Sequence, residues 1–195
     1  MNVAFVIFDG MTTMDFLGVY DAVTRLRTMG FMPDLRWDVC ATMRDVREEK
    51  GLRVGVDRVC GPFDGYDLVV LPGGVGTLTL VDDADFIGWI KTAERCRYRA
   101  SVCTGSLLWG AAGFLRDRNA TTHPNALKLL EKYCPRVVDR RIVDEGDMIT
   151  ARGVTSSLDL GLYLCEKLAG RDVRERIARQ MDYPYYPEGV ADGAA

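Results

Sequence analysis

The chain switches repeatedly between two hydrophobic patterns, and this alternation limits its fold more than any other feature. Apolar runs at Asn2–Phe8, Leu35–Ala41 and Tyr66–Leu71, and a fourth ending in Ala100-Ser101-Val102, each stop at turn residues. Short apolar runs bounded in this way read as strands buried on both faces. Between them lie segments of helical period. Phe16, Val19, Tyr20, Val23 and Leu26 form one stripe of a helix over Met14–Met29, with Thr12 and Thr13 as capping hydroxyls and Gly30 as its stop. Asp82-Asp83-Ala84-Asp85 opens a helix whose inner face is Phe86, Trp89, Ile90 and Ala93. Pro124 begins a helix over Asn125–Tyr133, and Ser156–Ala169 and Arg171–Met181 read as two more. Arg141–Val143 and Met148–Ala151 read as a hairpin, and Val54, Val56 and Val59 as a short ribbon. Strands alternating with helices predict an α/β fold with a mostly parallel sheet covered on both faces.

Composition narrows the class. With 195 residues, 48% hydrophobic and 27% charged, the chain has enough apolar surface for one globular domain over residues 1–188, with 189–195 as a flexible tail. A net charge of −3 offers no electrostatic case for nucleic acid or a membrane surface. The basic run Arg95–Arg99 reads as a solvated helix end. No signal peptide or membrane-length apolar run is visible, so the expected location is cytoplasmic. The six cysteines show no C-x-x-C pairing and His123 is the single histidine, so neither a disulfide framework nor a metal site is expected.

In parallel α/β sheets the functional site lies beyond the carboxyl ends of the strands. Three loops satisfy that rule: Asp9 to Asp15, Gly73 to Gly76, and Cys103-Thr104. Cys103 stands between a buried strand and a helix, with Ala100, Ser101, Gly105 and Ser106 leaving room for a sharp turn. The helix amides there favour thiolate over thiol. Asp15, in the first helical turn, reads on position alone as a dipole-favouring carboxylate. The convergence of a thiol, a carboxylate and a glycine turn marks it instead as a catalytic partner. Pro72-Gly73-Gly74-Val75-Gly76 lacks the dinucleotide spacing, and its backbone N–H groups suit a developing negative charge.

These residues resemble the ThiJ/PfpI superfamily of flavodoxin-like proteins with a three-layer sandwich and a cysteine at a strand–helix elbow. The likeness runs from Val3 to about Pro187 and is carried by Met14–Gly18, Leu71–Gly74, Ser101–Leu107 with Gly110–Gly113, and Ala120–His123. Within it, the chain is similar to the isonitrile hydratase branch. The resemblance implies Cys103 as nucleophile, Asp15 as its carboxylate partner and Thr104 beside them. Gly74 and Thr104 supply amides for developing charge, and Gly73, His123, Gly153 and Val154 line the pocket. Protease-like members place His directly after the cysteine; here Thr104 removes that dyad. His123 either takes part in the chemistry or orients its loop. Arg152 departs from the glycine-rich run of the hydratases and either narrows the pocket or adds charge to it.

The activity so implied is cofactor-independent hydration of an isonitrile to an N-substituted formamide through a thioimidate on Cys103, by a homodimer. Two alternatives remain at this level: glyoxalase or deglycase chemistry on small 2-oxoaldehydes, and a redox-sensing role for the Cys103 thiol.

Overall fold

The computed structural model describes residues 1–59 and 61–184, and the backbone of 190–192. The first strand, β1 (Asn2–Val6), is followed by α1 (Thr13–Thr28), whose buried side carries Phe16, Val19, Val23 and Leu26. The Thr12 and Thr13 hydroxyls do not cap it. They donate instead to Glu49 (3.3 Å) and Glu48 (2.9 Å), which reach over from a neighbouring hairpin.

The chain continues through β2 (Arg36–Ala41), the hairpin β3 (Asp45–Arg47) and β4 (Arg53–Gly55), and β5 (Arg58–Val59). Next come β6 (Leu68–Leu71), a short α2 (Thr77–Leu80) that the sequence patterns leave unmarked, and α3 (Ala84–Lys91). Asp83 caps α3 by accepting from the Asp85 and Phe86 amides. Then follow β7 (Tyr98–Val102), α4 (Gly105–Ala111), β8 (Asn119–Ala120), α5 (Leu127–Leu130), β9 (Arg136–Val137), β10 (Ile142–Asp144), β11 (Met148–Ala151), α6 (Ser156–Ala169) and α7 (Arg171–Gln180). The helix expected over Asn125–Tyr133 is broken into a 3-10 turn at Pro124–Ala126 and the single turn of α5. The backbone of β12 (Val190–Asp192) pairs in parallel with β10, where the sequence reads as tail. The rest of that stretch, 189 and 193–195, lies outside the described residues.

The main sheet has the order β12-β10-β11-β7-β6-β1-β2-β5, parallel except at the β10–β11 hairpin. It is the central layer of a three-layer α/β sandwich. One helical layer joins α1, α6 and α7; the other groups α2, α3 and α5 around α4. Small residues set the α1–α6 spacing. A Cβ on Gly18 would lie 2.1 Å from Ser157 Oγ, and one on Gly161 would lie 2.7 Å from Ala22 Cβ.

The basic run is a solvated helix end at Arg95 and Arg97, which are exposed, but not at Arg99. Arg99 lies within β7 at 5% exposure and donates to the carbonyls of Ala93, Glu94 and Cys96 while pairing with Asp147. The physical reason is that β7 begins at Tyr98, so strand alternation turns Arg99 inward, where carbonyls and one carboxylate accept from its two terminal guanidinium nitrogens.

Candidate active site

The order of the sheet brings three strand ends together. β6, β7 and β1 are neighbours, so the loops after Leu71, Val102 and Val6 emerge side by side. They carry Gly73-Gly74, Cys103-Thr104 and the approach to Asp15.

Cys103 has φ of 56°, in the left-handed region that costs a side-chain-bearing residue energy. The surroundings hold it there. Its N–H is shared between the Ala151 and Arg152 carbonyls (3.0 and 2.9 Å), and its own carbonyl accepts the Thr122 and Ser106 hydroxyls (2.9 and 3.2 Å). The turn fits only because Gly105 lacks a side chain: a Cβ there would lie 2.6 Å from the Pro72 carbonyl oxygen. This is the geometry of a nucleophile elbow.

Asp15 is fully buried. It does not serve the amides of its own helix. Its Oδ2 accepts the Gly73 N–H at 2.9 Å, across the sheet edge, while Oδ1 has no partner in full hydrogen-bond geometry. Burial pushes the carboxyl up to about 7, against the opposing pull of the Gly73 amide and the Cys103 thiol. Glu49, across the loop, adds to the rise.

The expectation of a thiolate stabilised by the helix start is corrected here. Burial, reinforced by the negative charge of Asp15, pushes the Cys103 thiol up to about 12, outweighing the Thr104 amide and hydroxyl that favour the anion. A seven-residue helix offers a weak dipole, and its first amides cannot offset the desolvation of the sulfur. The resting pair therefore holds its proton on sulfur and, below about pH 7, a second one on Asp15.

Thr104 Oγ1 accepts the Gly74 N–H at 3.0 Å and donates to the Gly74 carbonyl at 3.2 Å. The Gly74 amide is thus spent on Thr104 in this structure rather than left open to a developing charge. Gly73 is required for the close approach, since a Cβ would lie 2.6 Å from the Thr104 nitrogen and 2.7 Å from Cys103 Cβ.

His123, Gly153 and Val154 lie together. They share a cleft of about 380 Å³ with Arg141, Arg152 and Thr155. His123 Nδ1 accepts the Asn125 N–H at 3.2 Å, so the ring proton belongs on Nε2. The ring packs against Gly153, where a Cβ would lie 2.3 Å from its Cδ2. Arg152 reaches Asp139 at the rim. Thr122 and Ser106 escaped the sequence reading as site residues; the only available signal for Thr122 was its place in the Ala120–His123 segment.

Among the described residues, no group of three or more His, Cys, Asp or Glu side chains is placed to hold a metal, and no helix is long and apolar enough to cross a membrane.

The chain has relatives among known proteins in both sequence and fold. Residues 1–167 match the DJ-1/PfpI family model. The chain is 31% identical to an isonitrile hydratase of Pseudomonas putida over all of this chain and 85% of that protein. It is 26% identical to protein DJ-1alpha of Drosophila melanogaster, over 95% of this chain and 86% of that one. Among solved structures, a ThiJ/PfpI family protein from Pseudomonas syringae superposes with a TM-score of 0.86 at 28% identity, covering 96% of this chain and 76% of that one.

Proposed function

We propose that this chain, which belongs to the DJ-1/PfpI family, adds water to isonitriles to give N-substituted formamides without a cofactor. The observation that carries the reading is the pair formed by Cys103 on its strained elbow and Asp15 buried beside it. Similarity to an isonitrile hydratase along the whole chain supports it.

The chemistry follows from the two titrations. Above about pH 7, Asp15 is ionised and Cys103 is still a thiol. Asp15 takes the thiol proton as the sulfur attacks the terminal isonitrile carbon, and then delivers that proton to the same carbon. The product is a thioimidate, R–N=CH–S–Cys103. Asp15, ionised again, removes a proton from water as the water oxygen bonds to that carbon, and passes that same proton to the nitrogen, giving R–NH–CH(OH)–S–Cys103. The C–S bond of this adduct then breaks as its hydroxyl forms the carbonyl, and the hydroxyl proton passes by way of Asp15 to the Cys103 sulfur, releasing R–NH–CHO. The net change is R–N≡C plus water to the formamide. The Thr104 amide and hydroxyl both favour the sulfur anion and support the charge that builds there.

In this reading the protein acts as a cytoplasmic homodimeric lyase. The test is turnover of a simple alkyl isonitrile, followed as formamide, in the native protein beside Cys103→Ala and Asp15→Ala. Loss of turnover in both variants is expected; turnover surviving in Cys103→Ala would refute the covalent route.

A further inference from the structure

The cleft beside Cys103 has a chemical character that the hydration reaction does not require. Arg141, Arg152 and the His123 Nε2–H are all donors, and none of the described residues lining the cleft carries a carboxylate. The cleft adjoins the backbone of the nucleophile: the Arg152 carbonyl accepts the Cys103 N–H at 2.9 Å, and His123 directly follows Thr122, which bonds the Cys103 carbonyl.

The two arginines are not equally committed. Arg141 is locked: its Nε bonds Asp159 Oδ2 at 2.5 Å, its guanidinium also reaches Thr155, and Asp159 is itself buried and accepts the Tyr183 hydroxyl. Arg152 pairs with Asp139, which is 62% exposed. A pair of that kind contributes little and exchanges readily with a competing anion. Arg152 can therefore leave Asp139 for a ligand carboxylate, which a guanidinium grips in a two-pronged geometry.

We infer that the cleft lined by Arg152, Arg141 and His123 receives a carboxylate on the substrate, so that the protein selects carboxylate-bearing over neutral small molecules for attack by Cys103. This rests on the hydratase reading only in naming the substrate an isonitrile. The anion preference is a property of the cleft and the thiol whatever the reaction.

The experiment has two arms. In the first, Cys103 is alkylated with iodoacetate and, separately, with iodoacetamide, and the Cys103 adduct is quantified by peptide mass spectrometry. Arg152→Ala is expected to lower the iodoacetate-to-iodoacetamide rate ratio roughly 10-fold, as loss of a charge-assisted hydrogen bond implies. Arg152→Lys is expected to retain part of the ratio, and Asp139→Asn, which frees the guanidinium, to raise it. An unchanged ratio in Arg152→Ala overturns the inference. In the second arm, a carboxylate-bearing isonitrile is compared with its methyl ester, and Arg152→Ala is expected to lower the ratio of their kcat/KM values by a similar factor. If neither isonitrile is turned over, the hydratase reading fails and the alkylation ratio alone still decides the cleft. If both are turned over with a ratio indifferent to Arg152, hydration stands and the anion site falls.

Discussion

The Thr122 hydroxyl donates to the Cys103 carbonyl at 2.9 Å, tying the nucleophile's strained backbone to a loop 19 residues further along the chain. With the Ser106 hydroxyl on the same oxygen and two carbonyls on the Cys103 amide, this bond keeps a side-chain-bearing residue in the left-handed region.

Thr122→Val removes this donor while keeping the volume. The Cys103 carbonyl keeps Ser106, so the stability cost is about 1 kcal/mol. The larger effect falls on chemistry, because the elbow gains freedom to relax toward an ordinary backbone. Alkylation of Cys103 and kcat should both drop while KM changes little, and Thr122→Ser should restore both. A loss of thermal stability with normal kcat would assign Thr122 a packing role only.

Asp15→Asn tests the buried carboxyl in two ways. Turnover should be lost, since the proton shuttle is gone. In the native protein, kcat/KM should rise with pH through about 7, as Asp15 ionises. Stability should move the other way. The folded carboxyl titrates near 7 and the unfolded one near 3.8, so between about pH 4 and 7 the folded state holds a proton that the unfolded chain has released. The stabilising contribution of the neutral carboxyl is complete below about 4 and is lost as pH rises through about 7. Asn carries no such slope. The variant should match the native protein near pH 4 and exceed it above pH 7 by on the order of a few kcal/mol, read from urea midpoints.

Gly73→Ala and Gly88→Ala form a contrasting pair. At Gly73 the new methyl meets the Thr104 amide and Cys103 Cβ, which are backbone and elbow atoms and cannot swing aside. A displacement approaching 1 Å at the nucleophile should cost roughly 100-fold in turnover. At Gly88 in α3 nothing lies within 4 Å, so the same change should leave turnover intact and stabilise the protein by up to about 1 kcal/mol through helix propensity. Comparable losses at both positions would contradict the close approach at Gly73.

Arg99→Met addresses the opposite end of β7. It would remove a donor from the carbonyls of Ala93, Glu94 and Cys96, of which Ala93 keeps the Cys96 N–H, and leave Asp147 with Arg118 as its partner cation. Because Asp147 is partly exposed, the expected loss is about 2–3 kcal/mol, below that of a fully buried pair. The urea midpoint should fall and kcat should hold, since Cys103 lies at the other end of the strand.

Much of this molecule was legible in the chain. The helix over Ser156–Ala169 occupies the same residues in the structure, and the hairpin at Asp144–Asp147 forms as its turn residues imply. Local signals of this kind survive because backbone propensity and side-chain burial agree there. The short α2 and the broken helix after Pro124 were not legible, since four-residue helices carry no full hydrophobic period. Thr12 and Thr13 looked like caps, but the β3–β4 hairpin brings Glu48 and Glu49 over them, a contact 35 and 37 residues away in sequence.

The sequence by itself determined the alternation of strand and helix, the strand-end positions of Cys103, Gly73 and Asp15, and the absence of a histidine after the nucleophile. All are properties of spacing and residue type. Only the tertiary structure decided the protonation of the site, the commitment of the Gly74 amide to Thr104, the grip of Thr122 on the elbow and the placing of Arg152 beside His123. These depend on burial and on through-space neighbours. A carboxyl and a thiol that would ordinarily titrate near 4 and 9 are pushed to about 7 and 12 by desolvation that exists only once the sheet has closed over them.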